Sequence, residues 1–100
     1  MILVRNVFRL KFGMAREALS IWKEGQGIAE KAGLGGRHRL LTDLAGPDFY
    51  TLVLESTYES LADFEKSAQA LMSNAAWRAW YPRVTAVSEG GYREILNVVE

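Results

Sequence analysis

The chain holds one histidine, His38, and no cysteine, so the side chains that most often activate nucleophiles or bind transition metals are nearly absent. A Ser-His-Asp arrangement would have to use His38, and the serines at 20, 56, 60, 67, 73 and 88 include none in a nucleophile-elbow context. Flanked by Arg37 and Arg39 at the start of a strand, His38 reads first as a surface or edge residue. It has no carboxylates paired beside it at i, i+3 or i, i+4, too few ligands for zinc or non-haem iron, so neither a metal nor another cofactor is expected. Gly33-Leu34-Gly35-Gly36 is not a phosphate loop, because it follows a helix and lacks the Lys-Ser/Thr that would hold a nucleotide.

What remains is a polar and aromatic set. Polar and aromatic side chains of this kind suit the binding of a small apolar or aromatic molecule. Asn6, His38 and Trp77 are the catalytic candidates, and Trp22, Trp80 and Tyr81 the ligand-binding walls. The competing reading makes the tryptophans core filler, since large aromatics dominate small cores. Arg9, with Arg5, offers a third option, a cation holding an anionic ligand on the other face of the first strand.

The elements that must position these residues follow from periodicity. Met1 to Phe12 alternates, with Ile2, Val4, Phe8 and Leu10 on a nearly apolar face that includes Asn6, and Leu3, Arg5, Val7, Arg9 and Lys11 opposite; Gly13 ends this strand. From Met14 to Lys31 the spacing becomes helical, with Ala15, Ala18, Trp22, Gly25, Ala29 and Ala32 on one stripe. Gly25 and Gly27 each cost this helix about 1 kcal/mol relative to alanine, so they either allow a close approach or bend it. The glycines at 33, 35 and 36 stop it. Arg37 to Ala45 and Phe49 to Ser56 form a hairpin about Gly46-Pro47-Asp48. Ser60 caps a helix carrying Leu61, Phe64, Ala68, Leu71 and Met72, and Asn74 caps a second stretch through Trp77 and Trp80 that Pro82 kinks or ends. Gly90-Gly91 reads as a break before a closing strand, Tyr92 to Glu100.

Strand, helix, strand, strand, helix, strand is the split βαβ order, which builds one four-stranded antiparallel sheet with both helices on one face. The other face would leave Leu3, Val7, Leu41 and Val53 in water, a large apolar patch for a monomer. A homodimer through the open sheet face is the economical cover. Arg5, Arg9, Arg39, Asp43 and Glu55 share that face, with Arg93 or Glu94 joining them according to the register of the last strand, and charges enclosed there must pair.

Phe12-Gly13 after an N-terminal strand, the segment Leu40-Leu41-Thr42-Asp43-Leu44-Ala45-Gly46-Pro47 running into Tyr50-Thr51-Leu52-Val53-Leu54-Glu55, then Tyr58-Glu59-Ser60-Leu61-Ala62-Asp63-Phe64-Glu65 and a tryptophan-bearing second helix together resemble the dimeric α/β-barrel superfamily, nearest its NIPSNAP-like members. The resemblance implies an α+β, ferredoxin-like βαββαβ fold assembled as a dimeric α/β barrel. It does not imply a reaction, because the superfamily holds cofactor-free monooxygenases, haem-degrading enzymes, lactone isomerases and members without known activity. Haem-degrading members need a histidine on the second helix, and none occurs between Leu61 and Glu100.

At 100 residues the chain is one domain, 1–100. With 12 Lys+Arg balancing 12 Asp+Glu, no excess of positive charge exists to bind nucleic acid or an acidic membrane. The lack of cysteine suits a reducing cytoplasm. Charges at Arg5, Arg9 and Lys11 interrupt the apolar N-terminus, so it does not read as a signal peptide. Two functions are consistent with these residues. One is a dimer that binds a small apolar or aromatic molecule between sheet and helices and acts on it as a cofactor-independent monooxygenase. The other is a non-catalytic interaction module whose aromatics are only core. A ligand-sized cavity near Asn6 separates them.

Overall fold

The computed structural model describes residues 1–34 and 37–99; Gly35, Gly36 and Glu100, which carry parts of the expected loop and closing strand, lie outside them. Strands β1 (Ile2–Leu10), β2 (Arg37–Thr42), β3 (Thr51–Tyr58) and β4 (Ser88–Asn97) form one antiparallel sheet in the order β2-β3-β1-β4. Helices α1 (Ala15–Lys31), α2 (Leu61–Met72), α3 (Ala75–Trp80) and α4 (Pro82–Val87) cover one face. The fold is α+β and ferredoxin-like.

Local sequence explains most of the boundaries. Gly33, at φ 69°, ends α1: its N–H donates to the Glu30 carbonyl and the Leu34 N–H reaches back to Ala29, so a left-handed residue satisfies two orphan carbonyls. The Ser60 hydroxyl accepts from the Asp63 N–H and the Asn74 side chain from the Trp77 N–H, capping α2 and α3 as expected. Pro82 opens α4, where its missing N–H costs nothing.

Several boundaries differ from the sequence reading, among them β1, which spans Ile2–Leu10 rather than Met1 to Phe12, and the end of β3, at Tyr58 rather than Ser56. β2 stops at Thr42 rather than Ala45, and β3 starts at Thr51 rather than Phe49, because Asp43 Oδ1 accepts from the Thr51 N–H and Tyr50 turns to φ 58°. The Tyr50 carbonyl instead accepts from Leu10 N–H. The largest difference is β4, which begins at Ser88, so that Gly90-Gly91 lies inside the strand instead of breaking it. A side chain at 91 would place its Cβ 2.2 Å from the Val7 carbonyl oxygen, so glycine here allows close backbone approach.

Register assigns the two faces. Asn6 stands opposite Leu54 and Arg93, and Arg5 opposite Glu55 and Glu94. Even positions of β1, β2 and β3 therefore share the helix-covered face with odd positions of β4. The core on that side is built from Leu10, Ala18, Ile21, Trp22, Leu52, Trp80, Val84 and Val87. Gly25 serves close approach, and its neighbour is a helix: a Cβ there would lie 2.3 Å from Trp80 Cζ2. Gly27 has nothing within 4 Å and no such reason.

The other face has no helix. The molecule measures 36 × 35 × 17 Å and exposes 6686 Å², against the roughly 5,700 Å² of a compact monomer of this length. Leu41, Tyr92, Leu96 and Val98 are exposed there. No helix among the described residues is long and apolar enough to cross a membrane.

Candidate functional site

Between the helix-covered face and α1, α2 and α3 lies a cavity of about 320 Å³. Its floor is Val4, Asn6, Phe8, Leu54 and Ser56 from the sheet, and its sides include Trp22 and Gly25 of α1 and Trp77 of α3. Helix α2 forms the roof with Phe64, Ala68, Leu71 and Met72. This explains why α2, although amphipathic, has no fully buried residue. Its apolar stripe meets the cavity instead of the sheet.

Most of the residues singled out by type converge here. Asn6, Trp22, His38, Trp77 and Tyr81 all border the cavity. His38 sits at the edge as expected, on β2, but register turns it to the cavity side, level with Ser56. Two candidates lie elsewhere. Trp80 is 3% exposed and sits behind the wall, packed edge-on against Trp22 at 5.0 Å, its Nε1 donating to the Ile21 carbonyl at 2.9 Å. Arg9 is on the open face, half exposed and 3.7 Å from Glu89.

The polar end of the cavity was not legible by residue type. Arg93 Nε donates to Asn6 Oδ1 at 2.6 Å, and its guanidinium lies over the Phe64 ring, 5.4 Å from the centroid. Nearby, Trp22 is 3% exposed, yet its Nε1 has no hydrogen-bond partner. Trp80, equally buried, has one. The Trp22 indole nitrogen is sealed within the core and is an exception among buried polar groups, which are nearly always paired. The residue that sequence reasoning left open, Arg93 or Glu94, is resolved by the β1–β4 register. Only a signal of strand pairing could have found it.

The open face carries a different electrostatic pattern. Across the sheet run Arg39, Glu55, Arg5 and Glu94, one per strand: Arg39 Nε meets Glu55 at 2.9 Å, Arg5 Nε meets Glu55 at 3.1 Å and Arg5 Nη1 meets Glu94 at 2.6 Å. The hydrogen bond from Arg39, aided by that from Arg5, holds the Glu55 carboxyl below its ordinary value even though burial opposes it. The Arg5 guanidinium is held above its ordinary value chiefly by its bond to Glu55. This is the alternation of arginine and carboxylate expected of charges that a second copy would enclose. No group of three His, Cys, Asp or Glu among the described residues could hold a metal ion.

Solved structures of similar shape cover nearly the whole chain. A NIPSNAP domain protein from Burkholderia xenovorans superposes with a TM-score of 0.88 at 22% identity, over 99% of this chain and 95% of its own. A NIPSNAP family protein from Agrobacterium tumefaciens gives 0.89 at 24% identity, over 99% and 86%. The chain has the NIPSNAP-domain fold. More distantly, SnoaB, a cofactor-independent oxygenase from Streptomyces nogalater, gives 0.72 at 15% identity over 99% of this chain and 93% of its own. No protein-family model matches the sequence, and no curated protein matches it. The NIPSNAP likeness bears out the resemblance read from the sequence.

Proposed function

We propose that this protein binds a small, mostly apolar or aromatic molecule in the cavity between sheet and helices, with Asn6, Trp22, His38, Trp77 and Tyr81 around it and Trp80 bracing the wall. The observation that carries this reading is the cavity of about 320 Å³ itself, held open by an amphipathic helix that leaves its apolar stripe unburied. Its volume sits at the small end of ligand sites, which suits a molecule of one to three rings. Thermal unfolding with a panel of phenols, quinols and haem tests it. A ligand present at a hundred times its Kd raises stability by about 2.7 kcal/mol, and Ala68→Phe, which fills the cavity from α2, abolishes the gain. If no member of the panel shifts the unfolding temperature, the protein is the non-catalytic module with a structural aromatic core.

A second reading adds chemistry. The likeness to a cofactor-independent oxygenase, together with a polar pair at one end of an aromatic cavity, supports a monooxygenase acting on an activated ring methylene. That carbon loses two hydrogens and gains one oxygen atom; dioxygen supplies the atom and its other oxygen leaves as water. Asn6 would position the ring oxygen, and His38 and Trp77 lie within the same cavity to shape the reaction. Oxygen uptake with anthrone checks it: one dioxygen is consumed per ketone formed, and Asn6→Ala slows the reaction. Absence of uptake leaves the binding reading standing alone.

The homodimer through the open sheet face belongs to the same proposal. The exposed apolar residues of that face, its self-compensated charges and the excess of surface over a compact monomer all support it. Arg9 would then lie within the dimer interface. Sedimentation at micromolar concentration should show a dimer that Val7→Glu dissociates; a stable wild-type monomer rejects the assembly. The cysteine-free composition fits a reducing, cytoplasmic setting.

A further inference from the structure

Resting on the reading of the cavity as a small-molecule site, we infer that its ligand is an anion: a small aromatic molecule carrying an ionised oxygen, a carboxylate or a phenolate, recognised by Arg93. The inference comes from counting charges and donors at one end of the cavity. Among the described residues no Asp or Glu borders it. Arg93 brings a full positive charge to this rim, and among the described residues no carboxylate lies within ion-pairing distance of it. By contrast, the row of Arg39 and Arg5 on the open face is matched by Glu55 and Glu94. The cavity rim thus carries a cation that no carboxylate offsets.

The donors point the same way. Of the five N–H groups of a guanidinium, Arg93 commits one, Nε, to Asn6. Because Asn6 Oδ1 accepts that bond, the amide assignment follows, and Nδ2 is left as a donor. Arg93 and Asn6 therefore offer donors at the rim of an aromatic-walled space. A neutral hydrocarbon would leave them unmatched, and a cation would meet Arg93. An oxyanion satisfies both, and its ring packs among the aromatics. Phe64 lies within cation–π distance of the guanidinium, its ring centroid 5.4 Å from Arg93 Cζ.

Calorimetric titration with 2-naphthoate, 4-nitrophenolate and the neutral 2-naphthylmethanol tests the inference. Wild-type protein should bind 2-naphthoate at least about tenfold more tightly than the alcohol, the scale of a hydrogen bond to a charged group. The tighter of the two anions identifies the oxygen type, carboxylate or phenolate. Arg93→Gln should erase the preference by weakening 2-naphthoate far more than the alcohol, and Arg93→Lys should restore part of it. Asn6→Asp, which places a carboxylate against the intact Arg93, should also abolish anion binding. Arg93 is exposed, so these variants should fold, as thermal unfolding will check. Equal affinity for 2-naphthoate and the alcohol, or a preference that survives in Arg93→Gln, overturns the anion inference and leaves the cavity reading intact. Failure of all three probes to bind wild type overturns both.

Discussion

The two faces of the sheet place charge in opposite ways. In one row across the open face, Arg39, Glu55, Arg5 and Glu94 alternate over all four strands, each arginine within 3.1 Å of a carboxylate. On the helix-covered face Arg93 has no counter-charge and rests on an amide and an aromatic ring. Self-compensation suits the proposed contact of this face with a second copy. An unmatched charge at the rim of an apolar cavity suits the proposed ligand. The packing differs in the same sense: the covered side is locked by interdigitated tryptophans, and the open side is held by strand pairing and ion pairs.

Breaking the covered side should cost most. Trp80→Ala removes a buried indole that packs on Trp22, Trp77 and Gly25, together with its bond to the Ile21 carbonyl, so urea unfolding should show a loss of about 3–5 kcal/mol. Gly25→Ala should lose about 1–3 kcal/mol by overpacking against the same ring, outweighing the gain of about 1 kcal/mol in helix propensity. Gly27→Ala, two residues away with open space around it, should gain up to about 1 kcal/mol. Opposite signs for these two glycines, read as midpoint shifts, would confirm that Trp80 and not the helix itself dictates position 25. Equal signs would break the comparison.

The open face should respond to pH more than to packing. Glu55 is held below its ordinary value of 4.5 in the folded chain. The unfolded carboxyl therefore takes up its proton first as the solution is acidified. The stabilisation from Arg39 and Arg5 is complete above about 4.5 and is lost as pH falls through the lower, folded value. Stability measured by urea midpoints should decline over that acid window in the wild type and decline less in Glu55→Gln. The size is modest, because Arg39 is largely exposed and solvent screens its pairing. An identical pH profile in the variant would remove Glu55 from the account.

How much of this was legible in the sequence depends on the range of the interaction concerned. The alternation of Ile2, Val4, Phe8 and Leu10 marked the buried side of β1, Ser60 and Asn74 announced their helices, and Gly33 announced the end of α1; each works through bonds spanning a few residues. Asn6, Trp22, Trp77 and Tyr81 were picked out by chemical type, and the fold brings them to one cavity. His38 was legible as an edge residue but not as one facing that cavity. Gly90-Gly91 misled, because glycines that break a strand and glycines that admit a close neighbour read alike until Val7 is placed beside them.

By itself, then, the chain's sequence determined the elements, their order and the surplus of apolar surface that one layer of helices cannot cover, since these depend on periodicity and local hydrogen bonding. Only the tertiary structure decided what each face does. A strand's pattern has a period of two, so it divides residues into two sets without saying which set meets which neighbour, and a slip of one residue exchanges them. The pairing of β4 with β1, between residues almost ninety positions apart in the chain, put Glu94 beside Arg5 and Arg93 beside Asn6. That non-local choice of register made one face self-satisfied and left the other with a charge to match.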